Sequence, residues 1–171
     1  MSGIFTYSPR EVQLIVAGYK VSGWETITIT RSIDGFIPVR GIRGKNTRVR
    51  STDTSATITV PVMQTELSNE VLNSIHTQDL QLGSGRLEIT LKDGSGTSVF
   101  SSNEAYIVGY PAVTYSGGIE YREWRIFCQT TATFEVGSNI ESGIGDILSS
   151  GFSAAKDAVG AATEAVGGLF G

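Results

Sequence analysis

Residues 34–53 read DGFIPVRGIRGKNTRVRSTD, a glycine-punctuated segment that separates two strand-like runs. On its N-terminal side, Trp24–Arg31 alternates threonine with isoleucine. On its C-terminal side, Thr54–Val62 repeats apolar residues at every second position, which is the period of one strand face. The repeating residues are Ala56, Ile58, Val60 and Val62. The segment between the runs is too long for a tight turn, and long loops on small domains usually make functional contacts. We therefore expect residues 34–53 to contact something outside the core of their own chain.

Charge also separates this segment from the rest of the chain. The 171 residues include 13 Lys and Arg against 17 Asp and Glu, a net charge of −4. Five of the basic residues lie within residues 40–50, which contain no acid, so the rest of the chain has eight basic residues against 17 acids, a net charge of −9. These five are Arg40, Arg43, Lys45, Arg48 and Arg50. A basic loop on an acidic body favours docking on an acidic neighbouring subunit.

Two alternatives to subunit docking remain for the basic segment. Nucleic-acid binding needs a broad positive surface and aromatic side chains for stacking, and Phe36 is the segment's only aromatic residue. The charge can also be incidental to a solvated loop. The acidic body supplies a counter-charge, and this favours docking over both alternatives.

Alternating hydrophobicity elsewhere predicts a mainly β domain over residues 1–137. Arg86–Lys92 and Glu104–Tyr110 have this pattern, and Asp93-Gly94-Ser95-Gly96 is typical of a turn. Ile119–Val136 places Trp124, Ile126, Cys128, Ala132 and Phe134 on one side and mostly polar residues on the other. A strand of about 18 residues is unusually long, so we expect a bulge or bend to divide it.

One helix is predicted within this domain, over Asn69–Gln78 with Ser68 as its N-cap. A helix of this length covers part of a sheet face. The predicted fold class is therefore mainly β: two packed antiparallel sheets, as a β-sandwich or partial barrel, with one short helix.

Residues 138–171 differ in composition and are predicted to form a Gly/Ala-rich C-terminal extension. Apolar residues recur there at helical spacing: Leu148, Phe152, Ala155, Val159, Ala162, Val166 and Leu169. Each glycine in a helix interior costs up to about 1 kcal/mol relative to alanine. We expect a weak amphipathic helix that packs on a partner through this stripe, with a partly disordered tail or a membrane-active segment as alternatives.

The sequence offers little material for catalysis or cofactor binding. His76 and Cys128 are the only residues of their types, and no His, Asp and Glu cluster has metal-ligand spacing. We expect Cys128 to be a buried apolar residue and His76 to lie at the surface or near the helix end. The prediction is a protein that is not an enzyme and has no metal or cofactor.

Targeting signals are also not recognised in the sequence. The opening residues have no basic region followed by an apolar stretch, and no run of 18 apolar residues predicts a transmembrane helix. We therefore expect synthesis in the cytoplasm and no stable membrane span.

Scattered positions across roughly residues 7–136 carry a family resemblance. They include Tyr7-Ser8-Pro9, Asp34-Gly35-Phe36, the glycine and arginine spacing of Gly41–Arg50, Ser68-Asn69-Glu70-Val71-Leu72, Leu87-Glu88-Ile89, Ala105-Tyr106-Ile107 and Arg122-Glu123-Trp124-Arg125-Ile126. With these residues the chain resembles the tail tube protein of contractile-tailed bacteriophages. That family is similar to the tube proteins of type VI secretion and of phage-derived injection systems, which remain the alternative assignment.

The resemblance implies an assembly and a set of partners. It implies hexameric rings stacked into a tube within the virion tail, with four long strands per subunit lining an inner barrel. DNA would pass without specific binding through an acidic lumen, a sheath would lie outside, and baseplate or terminator proteins would close the ends. Arg40, Arg43, Lys45, Arg48 and Arg50 would then make contacts between rings or subunits.

Overall fold

The structure, a computed structural model, describes residues 6–138. A 3-10 helix at Pro9–Glu11 precedes the first strand, and the α-helix α1 spans Ser68–Leu82. The strands are β1 Val12–Val16, β2 Tyr19–Lys20, β3 Thr28–Arg31, β4 Phe36–Arg40, β5 Asn46–Arg50, β6 Ala56–Met63, β7 Leu87–Asp93, β8 Val99–Ile107, β9 Tyr121–Thr130 and β10 Thr133–Glu135.

Two antiparallel sheets contain all of these strands. The large sheet has eight strands in the order β2-β1-β7-β8-β9-β6-β3, with β10 paired to β8, and the small sheet is the β4–β5 hairpin. The prediction of a mainly β fold with two antiparallel sheets and one helix is confirmed. The expected packing of the two sheets needs correction, because all ten strand residues of the hairpin are exposed and form no second buried layer.

Backbone hydrogen bonds show that the large sheet curls on itself. The Val21 N–H donates to the Leu14 carbonyl of β1, and the Met63 N–H at the end of β6 donates to the Gly23 carbonyl, both at 2.9 Å. In a flat sheet, the four strand spacings between β1 and β6 would amount to about 19 Å. Residues two positions apart in the chain span at most about 7 Å. The sheet is therefore a partial barrel with its core inside.

The core consists of the inward faces of the long strands. Burial alternates along all of β6 and along β9 from Arg122 to Cys128, and α1 adds Leu72 to the same buried cluster. Burial raises the pKa of the Cys128 thiol to about 11, with an opposing effect from the Ser102 hydrogen bond. The prediction that Cys128 is a buried residue is confirmed.

Three predicted strands have different limits in the structure. The run to Val136 is divided at residues 131–132 into β9 and β10, as expected. The strand predicted at Glu104–Tyr110 is only the second half of β8, because a register shift between Glu104 and Ala105 lets one long strand continue through it. The run predicted from Trp24 becomes a strand only at Thr28, and Trp24 itself makes an isolated bridge to Val62 of β6.

The helix was predicted at the right place, but its ends and the positions expected for Ser68 and His76 were wrong. α1 extends to Leu82 and ends at Gly83, whose φ of 62° is in the left-handed region. Ser68 is not the N-cap. It is buried, and its Oγ accepts the Ser22 N–H at 2.9 Å, which ties the helix to the chain that closes the barrel. His76 is 5% exposed rather than at the surface, because its ring packs edge-on against Tyr110.

Candidate assembly surfaces

The β4–β5 hairpin projects from one end of the large sheet. β3 ends and β6 begins at this end, and the Ser32 N–H donates to the Ser55 carbonyl at 3.0 Å to close the base. Asp53 Oδ1 accepts the Ser55 N–H at 2.8 Å, and Arg31 Nη2 donates to the Asp53 carbonyl at 3.3 Å. The backbone hydrogen bond from Ser55 lowers the pKa of Asp53, so this carboxylate stays ionised and holds the base. We call this end of the sheet the hairpin end.

The hairpin has two chemically different faces. Cross-strand partners share a face, and the register pairs Phe36 with Arg50, Pro38 with Arg48 and Arg40 with Asn46. We call this the cationic face, and the Arg48 guanidinium lies over the Phe36 ring on it, 4.4 Å from the centroid. The opposite, apolar face consists of Ile37, Val39, Thr47 and Val49.

The five predicted contact residues are all exposed, and the hairpin divides them into two groups. Arg40, Arg48 and Arg50 lie on the cationic face, while Arg43 and Lys45 lie in the tip, residues 41–45. Gly44 has a φ of 79°, a value that favours glycine, and its N–H donates to the Gly41 carbonyl at 2.9 Å to close the tip. Sequence reasoning found the charges but not the separation of a cationic face from an apolar one.

The hairpin also exposes several large apolar side chains. Ile37, Val39 and Val49 are each about half exposed, and Ile42 at the tip is fully exposed. A two-stranded hairpin has little stability in water unless its apolar side packs against something. The hairpin therefore presents a surface that is suited to a protein neighbour.

A second exposed apolar surface lies at the opposite end of the sheet, which we call the cleft end. Here β6 ends at Met63, β9 begins at Tyr121, β8 ends at Ile107, and residues 108–120 form irregular chain. The exposed apolar residues at this end are Leu67, Val108, Tyr110, Val113, Tyr115 and Ile119. The two ends of one subunit thus carry two different surfaces, both partly apolar.

A cleft of about 380 Å³ opens at the cleft end. It is lined by Asn69, Glu70, Asn73, Tyr110, Pro111, Val113, Arg122 and Trp124. The Trp124 Nε1–H donates to Asn69 Oδ1 at 3.0 Å, and the Asn69 amide donates to the Met63 and Glu66 carbonyls at 2.8 and 3.2 Å. These bonds fix the floor of the cleft.

The irregular chain beside the cleft is anchored to the body at two points. The Tyr110 hydroxyl hydrogen-bonds with the Thr77 hydroxyl at 3.0 Å. The buried Arg122 donates from Nη1 to the Thr114 carbonyl at 2.9 Å, and its guanidinium lies 5.1 Å from the Tyr115 ring centroid. Sequence reasoning missed this role of Arg122, although its even position relative to Trp124 indicates the buried side of β9.

The outward face of the four long strands β7, β8, β9 and β6 is largely polar. Its exposed residues include Glu88, Lys92, Asn103, Tyr106, Tyr121, Glu123, Arg125 and Gln129. Two of these are acidic and two are basic, so these exposed residues carry no net charge. The acidic lumen stays a prediction.

Within residues 6–138, no group of three or more His, Cys, Asp or Glu could hold a metal ion. No helix in the same range is long and apolar enough to cross a membrane. The C-terminal stripe predicted between residues 148 and 169 lies outside the described residues.

Comparison with known proteins identifies the family. No family model matches the chain. Structural protein ORF10 of Pseudomonas phage KPP10 is 31% identical over 145 residues, which cover 78% of this chain and 83% of that protein. The chain belongs to the family of this phage structural protein. A structural role in the relative suggests the same non-enzymatic kind of role for this member of the family.

Several solved structures share the fold of this chain at low sequence identity. A chain of the PVC sheath-tube complex, from an extracellular contractile injection system, has a TM-score of 0.51 at 14% identity, covering 78% of this chain and 91% of that one. The PVC sheath/tube terminator has a TM-score of 0.50 at 16% identity, covering 80% of this chain and 99% of that one. The tube-terminating cap of the anti-feeding prophage has a TM-score of 0.52 at 10% identity, covering 79% of this chain and 95% of that one. The predicted relation to contractile-system tube proteins is confirmed at the level of the fold, and the family is that of a phage structural protein.

Proposed function

We propose that this phage structural protein polymerises as stacked hexameric rings into the inner tube of a contractile tail, which conducts DNA into the host. The observation that carries the proposal is the placement of two different exposed apolar surfaces at opposite ends of one subunit. Such surfaces fit a head-to-tail contact, in which each copy uses one end to bind the other end of the next. A head-to-tail contact repeats without limit, as tube growth requires.

Within each ring, the curled sheet supports a shared barrel. Four contiguous long strands, β7-β8-β9-β6, have a buried face and a largely polar outward face. Neighbouring copies would cover the sheet edges that one subunit leaves open. The outward face has no excess of positive charge, so DNA would pass along it without tight binding.

The remaining partners follow from this assignment. A sheath would surround the tube, baseplate and terminator proteins would close its ends, and the protein would be assembled in the host cytoplasm and remain in the virion tail. Residues 138–171 would contact one of these partners or a neighbouring copy. No cofactor or metal is required, because the function is assembly.

Charge reversal in the hairpin tests the proposal. Arg43→Glu with Arg48→Glu replaces two exposed cations, so the subunit should fold normally while tube elongation stops. Electron microscopy of the purified protein measures elongation, and circular dichroism measures folding. The control pair Arg10→Glu and Arg86→Glu makes the same change in net charge at exposed residues of the body that lie outside the edge strands, and it should leave tubes intact. Normal tubes from the hairpin variant would refute the assigned role of the hairpin.

A second candidate is the inner tube of a phage-related injection or type VI secretion system, favoured by the fold shared with the extracellular contractile injection system. The same fold also occurs in a tube terminator and a cap. A terminator would form single rings that do not elongate. A gene located among capsid and portal genes, rather than secretion genes, would favour the phage tail.

A further inference from the structure

The hairpin tip and the cleft lie at opposite ends of the same subunit. We propose that Ile42 at the tip of one copy inserts into the cleft of the next copy, where Arg43 and Lys45 meet Glu70. This contact rests on the proposed head-to-tail assembly and names the surface that receives the hairpin.

The tip is built for insertion into a cleft. Ile42 is fully exposed. The other residues of the tip sequence, Gly41-Ile42-Arg43-Gly44-Lys45, are two glycines and two cations. The Gly41 N–H donates to the Lys45 carbonyl at 2.9 Å, so the tip is closed and narrow. A fixed, narrow loop with one aliphatic side chain loses little conformational freedom when it binds.

The cleft matches the tip in shape and in chemistry. Tyr110, Pro111, Val113 and Trp124 provide an apolar lining, and the volume of about 380 Å³ has room for a branched aliphatic side chain. Hydrogen bonds to Asn69, Thr77 and Thr114 already fix the walls, so binding requires little reorganisation. Glu70 lines the same cleft and supplies a negative charge for the cations of the tip.

The dimensions of the subunit allow this contact. β9 has ten residues and spans about 33 Å, and each five-residue strand of the hairpin is about 17 Å long. The hairpin leaves the sheet at the hairpin end, while the cleft opens at the cleft end. Copies stacked along the strand direction bring the tip of each subunit to the cleft end of the next.

The chain's own C-terminal segment is a competing occupant of the cleft. The described chain ends at Ser138, whose carbonyl accepts the Thr97 N–H at 3.2 Å. Thr97 precedes β8, so this exit lies at the hairpin end of the sheet. To reach the cleft of its own subunit, the segment would have to run the length of that subunit. The tip of a stacked copy would already lie beside the cleft.

Disulfide cross-linking of the full chain tests the contact. Ile42→Cys with Val113→Cys should form a ladder of linked copies under mild oxidation, since both positions are exposed. Each single variant, and the control pair Ile42→Cys with Leu80→Cys, should give no ladder. The native Cys128 is buried and does not interfere. Tubes of the double variant that form without a ladder would overturn this contact and leave the proposed function intact. An unsubstituted chain that forms no tubes would overturn the proposed function.

Two further measurements separate the competing occupants. Ile42→Leu should retain tube elongation, and Ile42→Asn should abolish it, because the apolar lining of the cleft disfavours a neutral polar side chain just as it favours an aliphatic one. A link within one chain between Val113→Cys and Phe152→Cys would show that the C-terminal segment fills the cleft and would overturn the proposal. Normal elongation of the Ile42→Asn variant would overturn it as well.

Discussion

Replacing the apolar face of the hairpin with serine should block assembly while sparing the fold. The change is Ile37→Ser, Val39→Ser and Val49→Ser, at residues that are 45%, 48% and 50% exposed and lie outside the buried core. Because these side chains are only half buried in a two-stranded sheet, the subunit should lose little stability. The exposed half of each side chain is available to a neighbouring copy. The substitutions would remove the apolar surface that this copy covers.

The size of the effect follows from the exposed area. Full burial of a Val or Ile side chain contributes about 1.5–3 kcal/mol, so covering half of each of the three contributes about 2–4 kcal/mol per docking contact. Each 1.4 kcal/mol is a tenfold change in an equilibrium constant, so the critical concentration for polymerisation should rise roughly 30- to 700-fold.

Sedimentation of assembled protein over a range of total concentrations measures this critical concentration. A matched control, Leu80→Ser with Leu82→Ser, removes two exposed leucines at the end of α1 and should leave the critical concentration unchanged. Urea titration checks that both variants fold like the parent chain. A triple variant that assembles at the parent's concentration would refute docking through the apolar face.

Three further predictions concern the subunit itself. Cys128, whose pKa is raised to about 11 by burial, should resist a thiol reagent at pH 8 in the folded protein and react fully in concentrated urea; a reactive native thiol would contradict the buried position. Asp53 has a lowered pKa, so its contribution to the hairpin base is present above its ordinary value of about 3.8 and is lost as the pH falls below it; the protection of the Ser55 amide against hydrogen exchange, relative to an unprotected amide at the same pH, should fall there and in Asp53→Ala, and unchanged protection would count against this hydrogen bond. Trp124→Phe should cost about 1–3 kcal/mol in urea unfolding, because Asn69 Oδ1 loses its donor; an unchanged midpoint would show that the bond contributes nothing.

Strict alternation made the central strands predictable from sequence. The residues of β6 and β9 repeat with period 2 because one side of each strand meets the core and the other side does not. The same reasoning located the turn after β7, where Asp93 Oδ1 accepts the Ser95 N–H at 3.0 Å. In these elements, local pattern and tertiary environment agree.

The misplaced features depend on contacts that are distant in sequence. Ser68 resembles an N-cap, but Ser22, 46 positions earlier, uses its hydroxyl instead. His76 has no apolar signature of its own and is buried because Tyr110 covers it. The strand predicted from Glu104 misses the first half of β8, because a bulge at Glu104 changes the alternation without ending the strand.

The candidate surfaces were only partly predictable for the same reason. The charges of the basic segment are plain in the sequence, and the register of β4 with β5 then assigns Arg48 and Val49 to opposite faces. Proline and glycine within the segment obscure that alternation. The cleft depends on Asn69, Tyr110 and Trp124 meeting from three separate elements, which no local pattern indicates.

Electron cryomicroscopy of the purified full chain after assembly tests the central claim most directly. We predict stacked hexameric rings in which the β4–β5 hairpin of each subunit contacts a copy in the adjacent ring. Monomers that never assemble, with the hairpin folded back against their own sheet, would contradict it.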